Sequence, residues 1–241
     1  MINYKLKYIK YKKKYLLKKL KFLKNIQLGG NNTSSINKII KYYKKIPKSG
    51  IYNNNVKKLI YSSSASVYGD AVEVPMSESH PFNNKNFYGA TKIAGEAMLR
   101  AYNFRYGLEY VGLRYMNVYG PRQDYKGAYI AVIMKMLDAI DNGDSPKIFG
   151  DGSESFDFVA VEDCALANVC ALTSNVTDEL YNVGTGKRTS LKQLAEKLIN
   201  LTGCSLPIQY QERSQATLVR NRIGCPKKAS SQIGYNAEID L

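Results

Sequence analysis

From Val56 onward, the hydrophobic and polar positions follow the two periods expected of strands and helices. The run Val56–Ser64 has an apolar centre and ends in small hydroxyl side chains, which predicts a buried strand of a parallel sheet. Apolar or small residues recur at helical spacing from Tyr88 to Tyr102, and Glu109–Tyr115 predicts a second strand. A strand, a crossover helix and a strand indicate a parallel sheet, and such sheets bind ligands outside the carboxyl ends of their strands.

The second half of the chain continues the alternation of helices and strands. Asp163–Leu172 predicts a helix, Leu180–Gly184 a strand, and Ser190–Gly203 a helix with an N-terminal cap. We therefore predict an α/β fold over residues 56–241, with a smaller C-terminal lobe formed mainly by residues 144–241.

The first 55 residues are of a different kind, a Lys/Tyr/Asn-rich head and linker. Leucine and tyrosine stripes at helical spacing predict a helix that stops near Gly29–Gly30, and a second short helix is expected over Ile36–Lys45. Four interpretations stay open for the head. It is a solvated helix, a segment that binds an anionic surface such as nucleic acid or membrane, a targeting segment, or AT-rich coding sequence fused to a gene fragment.

Net charge separates the head from the rest of the chain. Residues 1–58 hold 17 lysines and no acid, so 35 − 17 = 18 basic and 20 acidic residues remain for the rest, a charge of −2. The near-neutral remainder argues against nucleic acid as its natural ligand.

No apolar run is long enough to cross a membrane. Four cysteines without Cys-x-x-Cys spacing and a lone His80 predict reduced thiols, a cytoplasmic location and no metal site.

Candidate chemistry begins with Ser64 and the pair Tyr88 and Lys92. Tyrosine and lysine four positions apart share one helical face, and an ammonium beside a phenol stabilises the phenolate, a base for an alcohol proton. The spacing alone is weak, because Tyr8-x-x-x-Lys12 repeats it by accident in the head. Taken alone, the serine run fits an ordinary strand-to-turn segment and the Tyr–Lys pair fits a surface pair.

Six segments in order make the pattern specific. They are LIYSSSASVYGD, FYGATK, VGLRYMNVYGPRQD, KIFGDGSESFDFVAVEDC, LYNVGTGK and NRIGCPKKASSQIGYNAEIDL. Together they resemble the extended short-chain dehydrogenase/reductase family, in its NAD-dependent nucleotide-sugar epimerase/dehydratase branch, over roughly three quarters of the chain. GPRQDYKGAYIAVI is most similar to 4-epimerases of UDP-sugars, including N-acetylhexosamines. Ala65 and Ser66 stand where 4,6-dehydratases carry Asp-Glu, which favours an epimerase.

The resemblance implies roles for the candidate catalytic residues. Ser64 would hydrogen-bond the reacting sugar hydroxyl, and Tyr88 would take the O4 proton while hydride moves from C4 to NAD. Lys92 would hold the nicotinamide ribose, and Tyr115 would join Tyr88 and Lys92 at the cofactor. The 4-keto sugar would then rotate and receive hydride on its other face. A homodimer that uses the Tyr88 helix is also implied.

The resemblance also implies substrate contacts. Asn117 would contact the UDP-sugar, and Arg222 with Arg220 would bind its diphosphate. By themselves, Asn117 fits a turn cap, and the two arginines fit solvated surface charges. Phe156 departs from the family pattern, because many relatives carry an arginine there.

The cofactor loop is the main departure. No Gly-x-x-Gly-x-x-Gly turn precedes Ser64, and no acid occurs before Asp70, so the pyrophosphate and ribose contacts of NAD are not found. We therefore expect a partial Rossmann-like sheet that lacks its N-terminal strands. Two hypotheses follow: an NAD-dependent UDP-hexose 4-epimerase completed by a separately encoded half, or an inactive remnant that binds or has no function. The head resembles those of some giant DNA virus proteins, which would place the protein in host cytoplasm or virion.

Overall fold

The structure is a computed structural model that describes residues 56–123, 131–203, 205–212 and 219–241. The head predicted over residues 1–55, its two helices and its basic surface lie outside the described residues. Within the described part, strands and helices alternate along the chain and the strands of the main sheet are parallel. The predicted α/β class is therefore confirmed.

The described part contains ten short or medium strands and five α-helices. The strands are β1 (Lys58–Ser64), β2 (Glu109–Tyr115), β3 (Asn117–Tyr119), β4 (Lys147–Phe149), β5 (Ser155–Phe156), β6 (Phe158–Ala160), β7 (Glu179–Val183), β8 (Thr189–Ser190), β9 (Gln209–Gln211) and β10 (Asn221–Arg222). The helices are α1 (Phe87–Tyr106), α2 (Val132–Asp141), α3 (Val161–Thr173), α4 (Leu191–Thr202) and α5 (Lys227–Ile233), and a 3₁₀ turn covers Ala65–Val67.

The main sheet has the order β1-β2-β7, with all strands parallel. Its register pairs Ser64 with Tyr115 and Tyr115 with Val183, so the three strands end at the same edge. Each of these strands begins and ends within two residues of its predicted bounds. The carboxyl edge of this sheet is where a ligand site is expected.

Helices cover both faces of the sheet. Arg114 of β2 points towards α1 and contacts Glu96, whereas the next residue, Tyr115, points the other way and contacts Asn168 of α3. The larger hydrophobic cluster lies on the α3 face and includes Leu113 and Ala167, both fully buried. This packing fixes which β2 side chains meet the catalytic helix.

Local capping explains the helix ends. Asn86 accepts a hydrogen bond from the Gly89 amide at 2.8 Å, and Gly107 ends α1 with φ of 66°. The helix therefore runs to Tyr106, beyond the predicted end at Tyr102. At α4, Ser190 and Gln193 form the predicted cap as a capping box.

Two features of the smaller lobe escape the sequence pattern. Its strands are only two or three residues long, too short to show a period of two, and α2 was not predicted. α3 begins at Val161 rather than Asp163, so both Glu162 and Asp163 lie in its first turn. The lobe packs on a second cluster that includes Ile133, Ile148 and Leu194, together with further side chains of the lobe.

None of the helices described here is long and apolar enough to span a bilayer.

Candidate functional site

Ser64 is the last residue of β1 and caps the 3₁₀ turn that follows. Its Oγ accepts a hydrogen bond from the Ser66 amide at 3.1 Å, which fixes the direction of its hydroxyl. The preceding residue, Ser63, points to the opposite face, where its Oγ donates to Glu96 Oε1 at 2.5 Å. Ser64 therefore lies at the carboxyl edge of the sheet, as predicted from the strand.

Tyr88 and Lys92 lie in the first two turns of α1, on the side that faces β1. Lys92 Nζ donates to the Ser62 carbonyl oxygen at 2.7 Å and lies 5.5 Å from the centre of the Tyr88 ring. The Tyr88 side chain is half exposed. The structure thus brings Tyr88 and Lys92 to the end of β1, beside the serine run.

Gly89 allows this close approach of helix and turn. A Cβ at this position would overlap the Ser66 carbonyl oxygen and the Asn84 side chain. The absence of a side chain lets the first turn of α1 pack directly on the Ala65–Val67 turn. The tyrosine that precedes Gly89 is consequently held near the serine end of β1.

Beneath this cluster lies a buried ion pair that the sequence reading missed. Glu96 and Arg114 are almost completely buried, and two hydrogen bonds of 2.8 and 3.0 Å join their side chains. Arg114 also donates to the Tyr68 hydroxyl at 2.8 Å. The available signal was Glu96 four residues after Lys92, and therefore on the same helical face.

The surroundings of Arg114 favour its charged form. Burial acts to lower the pKa of Arg114, but the hydrogen bonds and charges of Glu96 and Tyr68 outweigh burial and raise it. Burial raises the pKa of Tyr68 to about 12, although Arg114 acts against the rise. Tyr68 therefore stays a neutral hydrogen-bond donor, and it donates to Asn182 at 2.7 Å.

Tyr115 ends β2 beside Ser64 but faces α3. Its hydroxyl accepts a hydrogen bond from Asn168 Nδ2 at 2.7 Å. Burial raises the pKa of Tyr115, and hydrogen bonds with Asn168 and Ser62 act in the opposite direction. The predicted cofactor residue is thus at the sheet edge, with its hydroxyl engaged by α3.

A cavity of about 560 Å³ opens between α2 and the short strands of the smaller lobe. Asn117 reaches its wall, and the Asn117 Nδ2 atom is buried without a hydrogen-bond partner in the described part of the chain. Phe149 and Phe156 line the cavity, and its charged lining residues are Lys135, Lys147, Asp138, Asp144 and Glu154. An apolar cavity with a free amide donor suits a planar polar ring.

The two candidate arginines differ in their surroundings. The Arg222 Nε atom is buried and has no partner among the described residues, and its terminal nitrogen donates to the Gly69 carbonyl at 3.2 Å. Burial lowers the pKa of Arg222, and nearby Asp70 acts to raise it. Arg220 is exposed. Arg222 is therefore the better placed of the two to bind an anion inside the protein.

The turn after β7 has the composition of a phosphate loop but is already occupied. It reads Gly184-Thr185-Gly186-Lys187, and the Thr185 and Gly186 amides each donate to the buried Asp157 carboxylate at 2.9 Å. These amides are not free for a cofactor phosphate. Over the residues that the structure describes, no group of three or more His, Cys, Asp or Glu could hold a metal ion.

Comparison with known proteins gives consistent matches. The model of the NAD dependent epimerase/dehydratase family matches residues 30–184, and so begins before the Val56 start of the resemblance. A putative UDP-glucose 4-epimerase of Methanocaldococcus jannaschii is 40% identical over 188 residues, which cover 78% of this chain and 60% of that protein. This chain therefore spans about three fifths of the length of that relative.

Solved structures give the same match. UDP-glucose 4-epimerase of Thermotoga maritima, solved with UDP-glucose, aligns with a TM-score of 0.75 and 34% identity over 79% of this chain and 62% of that one. UDP-N-acetylglucosamine 4-epimerase of Methanobrevibacter ruminantium, solved with UDP-N-acetylmuramic acid, aligns with a TM-score of 0.75 and 32% identity over 88% and 69%.

Proposed function

Because this chain belongs to the NAD dependent epimerase/dehydratase family, we propose that it acts in the 4-epimerisation of a UDP-hexose. One observation carries the proposal: Lys92 bridges the Ser62 carbonyl and the Tyr88 ring at the carboxyl edge of the sheet, next to Ser64. Two relatives named above as UDP-glucose 4-epimerases support the choice of substrate class.

In this proposal, the chain's own residues handle the proton. Tyr88 takes the proton of the sugar O4 hydroxyl and later returns it. Ser64 holds the same oxygen, and its fixed orientation on the 3₁₀ turn supports this role. The Lys92 ammonium lies 5.5 Å from the centre of the Tyr88 ring, so a positive charge stands beside the proposed base.

NAD, when bound, would accept and return hydride at the sugar C4. Lys92, Tyr88 and Tyr115 all lie at the carboxyl edge of the sheet, which supports the proposal that they hold its nicotinamide ribose. They offer no free loop for its pyrophosphate, because the glycine-containing turn after β7 already binds Asp157. We propose that the pyrophosphate contacts come from outside the described residues.

The 560 Å³ cavity is the proposed nucleotide site. Its buried Asn117 amide would donate to the substrate, and Arg222 would pair with the diphosphate. Phe156 stands where many relatives carry arginine. We propose that Lys135 or Lys147 supplies part of the missing charge, against the three carboxylates that also line the cavity. This proposal leaves the identity of the hexose open.

We also propose a homodimer through α1. The outward face of this helix carries Ala90, Ala94, Ala97 and Ala101 at helical spacing, and all four are exposed. Phe104 extends the face and is 93% exposed. A stripe of small and apolar residues allows a second helix to pack closely.

Three free cysteines in the described part support the cytoplasm as the compartment.

The test is turnover by the purified full chain. It is incubated with NAD and with UDP-glucose or UDP-N-acetylglucosamine, and the C4 epimers are separated by anion-exchange chromatography. We expect product from one of the two sugars. Tyr88→Phe should lower kcat at least about 100-fold, because it removes the base but keeps the ring.

Tyr102→Phe is the matched control, since it removes a tyrosine hydroxyl from the same helix four turns further on. Its turnover should equal that of the unmodified chain. Absence of turnover by the full chain with saturating NAD would refute the enzymatic proposal and favour a binding role. Unchanged turnover of Tyr88→Phe would refute the role of Tyr88.

A further inference from the structure

A loop of residues 69–76, called here the connecting loop, follows the turn after Ser64 and forms hydrogen bonds with β10 and the residue after it. It begins directly after the 3₁₀ turn, at Gly69, whose φ is 70°. A Cβ on Gly69 would overlap the Asn83 carbonyl, so the chain can leave the turn in this direction only with glycine. Further along, the Met76 amide donates to the Ile223 carbonyl at 2.8 Å.

Asp70 makes the most specific contacts of the connecting loop. Its Oδ1 accepts hydrogen bonds from the backbone amides of Arg220 at 2.6 Å and Asn221 at 3.1 Å. The Ala71 amide donates back to the Asn221 carbonyl at 3.2 Å. One carboxylate oxygen therefore fixes the backbone that leads into Arg222.

Arg222 has a buried donor that no described residue engages. Its terminal nitrogen donates to the carbonyl of Gly69, the residue before Asp70. Its buried Nε has no partner within the described ranges, and Arg222 pairs in register with Phe156, which lines the cavity. Neighbouring residues on paired strands point to the same side, so Arg222 shares the side of Phe156.

We propose that Asp70 is a positioning residue that holds Arg222 at a set distance from Ser64, so that one nucleotide-sugar can contact both. This inference rests on the proposed function, because Arg222 is taken to bind the diphosphate. Five residues separate Ser64 from Asp70, and the 3₁₀ turn and the φ of Gly69 restrict that link. The spacing between sugar hydroxyl and diphosphate is thereby set by the protein before the ligand binds.

Asp70 could assist anion binding through its charge or through its hydrogen bonds to backbone amides, and the structure favours the hydrogen bonds. Its charge lies near Arg222, but within the described residues its side chain accepts hydrogen bonds from backbone amides and not from the guanidinium. A carboxylate beside a diphosphate also repels it. Asp70 should therefore assist anion binding through backbone hydrogen bonds, which an asparagine side-chain oxygen can also accept.

The experiment compares Asp70→Ala with Asp70→Asn in the full chain. Isothermal titration calorimetry gives the Kd for UDP and for uridine, which lacks the diphosphate. We expect Asp70→Ala to raise the Kd for UDP about ten-fold and to leave the Kd for uridine unchanged. Asp70→Asn should keep the affinity for UDP or increase it, because the acceptor remains and the repulsive charge is removed.

Arg222→Ala serves as the reference for loss of the anion contact. The double variant Asp70→Ala/Arg222→Ala should bind UDP no more weakly than Arg222→Ala, because both changes remove one interaction. Equal UDP affinity of Asp70→Ala and the unmodified chain would overturn the inference. So would an equal loss for UDP and uridine, or a loss with Asp70→Asn as large as with Asp70→Ala.

A second measurement needs no ligand. Amide hydrogen exchange at Arg220 and Asn221 should quicken at least about ten-fold in Asp70→Ala and stay unchanged in Asp70→Asn. Unchanged exchange in Asp70→Ala would overturn the positioning role. If the unmodified chain binds no UDP, the proposed function fails, whereas the exchange result still decides whether Asp70 holds this backbone.

Discussion

The buried pair of Glu96 and Arg114 offers the sharpest test of the packing beneath the site. Both side chains are almost completely buried, at 4% and 3% exposed, and Glu96 accepts from Ser63 as well as from two Arg114 nitrogens. Glu96→Ala removes every one of these acceptors and leaves a charged guanidinium in the core. Breaking a buried ion pair from one side costs about 3–5 kcal/mol of unfolding free energy.

The matched variant is Glu96→Leu/Arg114→Met, which replaces both charges with apolar side chains of similar volume. Such replacements are often neutral or stabilising, because neither charge must then lose its water. Urea unfolding followed by circular dichroism gives the free energy of unfolding for each protein. We expect a large loss for Glu96→Ala and a much smaller loss for the double variant.

Two results would refute this reasoning. A loss below about 1 kcal/mol for Glu96→Ala would mean that water reaches the guanidinium, as it does at exposed ion pairs. A double variant as unstable as Glu96→Ala would mean that cavity formation or Tyr68, rather than the uncompensated charge, dominates. Turnover of the double variant would then show whether the ion pair also positions α1, because Lys92 lies one turn before Glu96.

Three further predictions concern the cavity, α3 and α1. Asn117→Ala should leave the free energy of unfolding nearly unchanged in urea unfolding, because the Asn117 Nδ2 atom has no partner in the described part. The same change should weaken the binding of UDP by about 1 kcal/mol, as measured by calorimetry. Burial raises the pKa of Cys164 to about 12, so iodoacetamide at pH 8 should not label Cys164 in the folded protein and should label it after unfolding, as mass spectrometry would show. Ala97→Glu should convert a dimer to monomers in light scattering after size-exclusion chromatography, while Ala165→Glu, on exposed α3 surface, should not; a monomeric unmodified chain would contradict the dimer.

The order of elements in the main sheet could be predicted because its strands and helices are long enough to show their periods. β1, β2 and β7 match the sequence prediction, and so do the caps of α4 at Ser190 and Gly203. The smaller lobe could not be predicted in the same way. Its two- and three-residue strands are defined by their partners, not by their own pattern.

The candidate site likewise contains residues that could be predicted from the sequence and residues that could not. Ser64, Tyr88 and Lys92 could be found because their spacing has a local chemical meaning, and their catalytic roles stay predictions. The contacts of Arg114 and Asp70 could not be found. Arg114 meets Glu96 across 18 positions and Asp70 meets Arg220 across 150, so neither pair leaves a local pattern in the sequence.

The sequence by itself determined the alternation of strands and helices, the family resemblance and the residue types available for proton transfer. These properties depend on neighbours a few positions apart, where helical and strand periods operate. Only the tertiary structure decided that the Arg222 Nε atom is buried while Arg220 is exposed, and that Asp157 fills the glycine-containing turn. It also decided that the buried Asn117 amide nitrogen has no partner among the described residues. Each of these outcomes depends on which distant groups meet and on whether water is excluded between them, which no local period encodes.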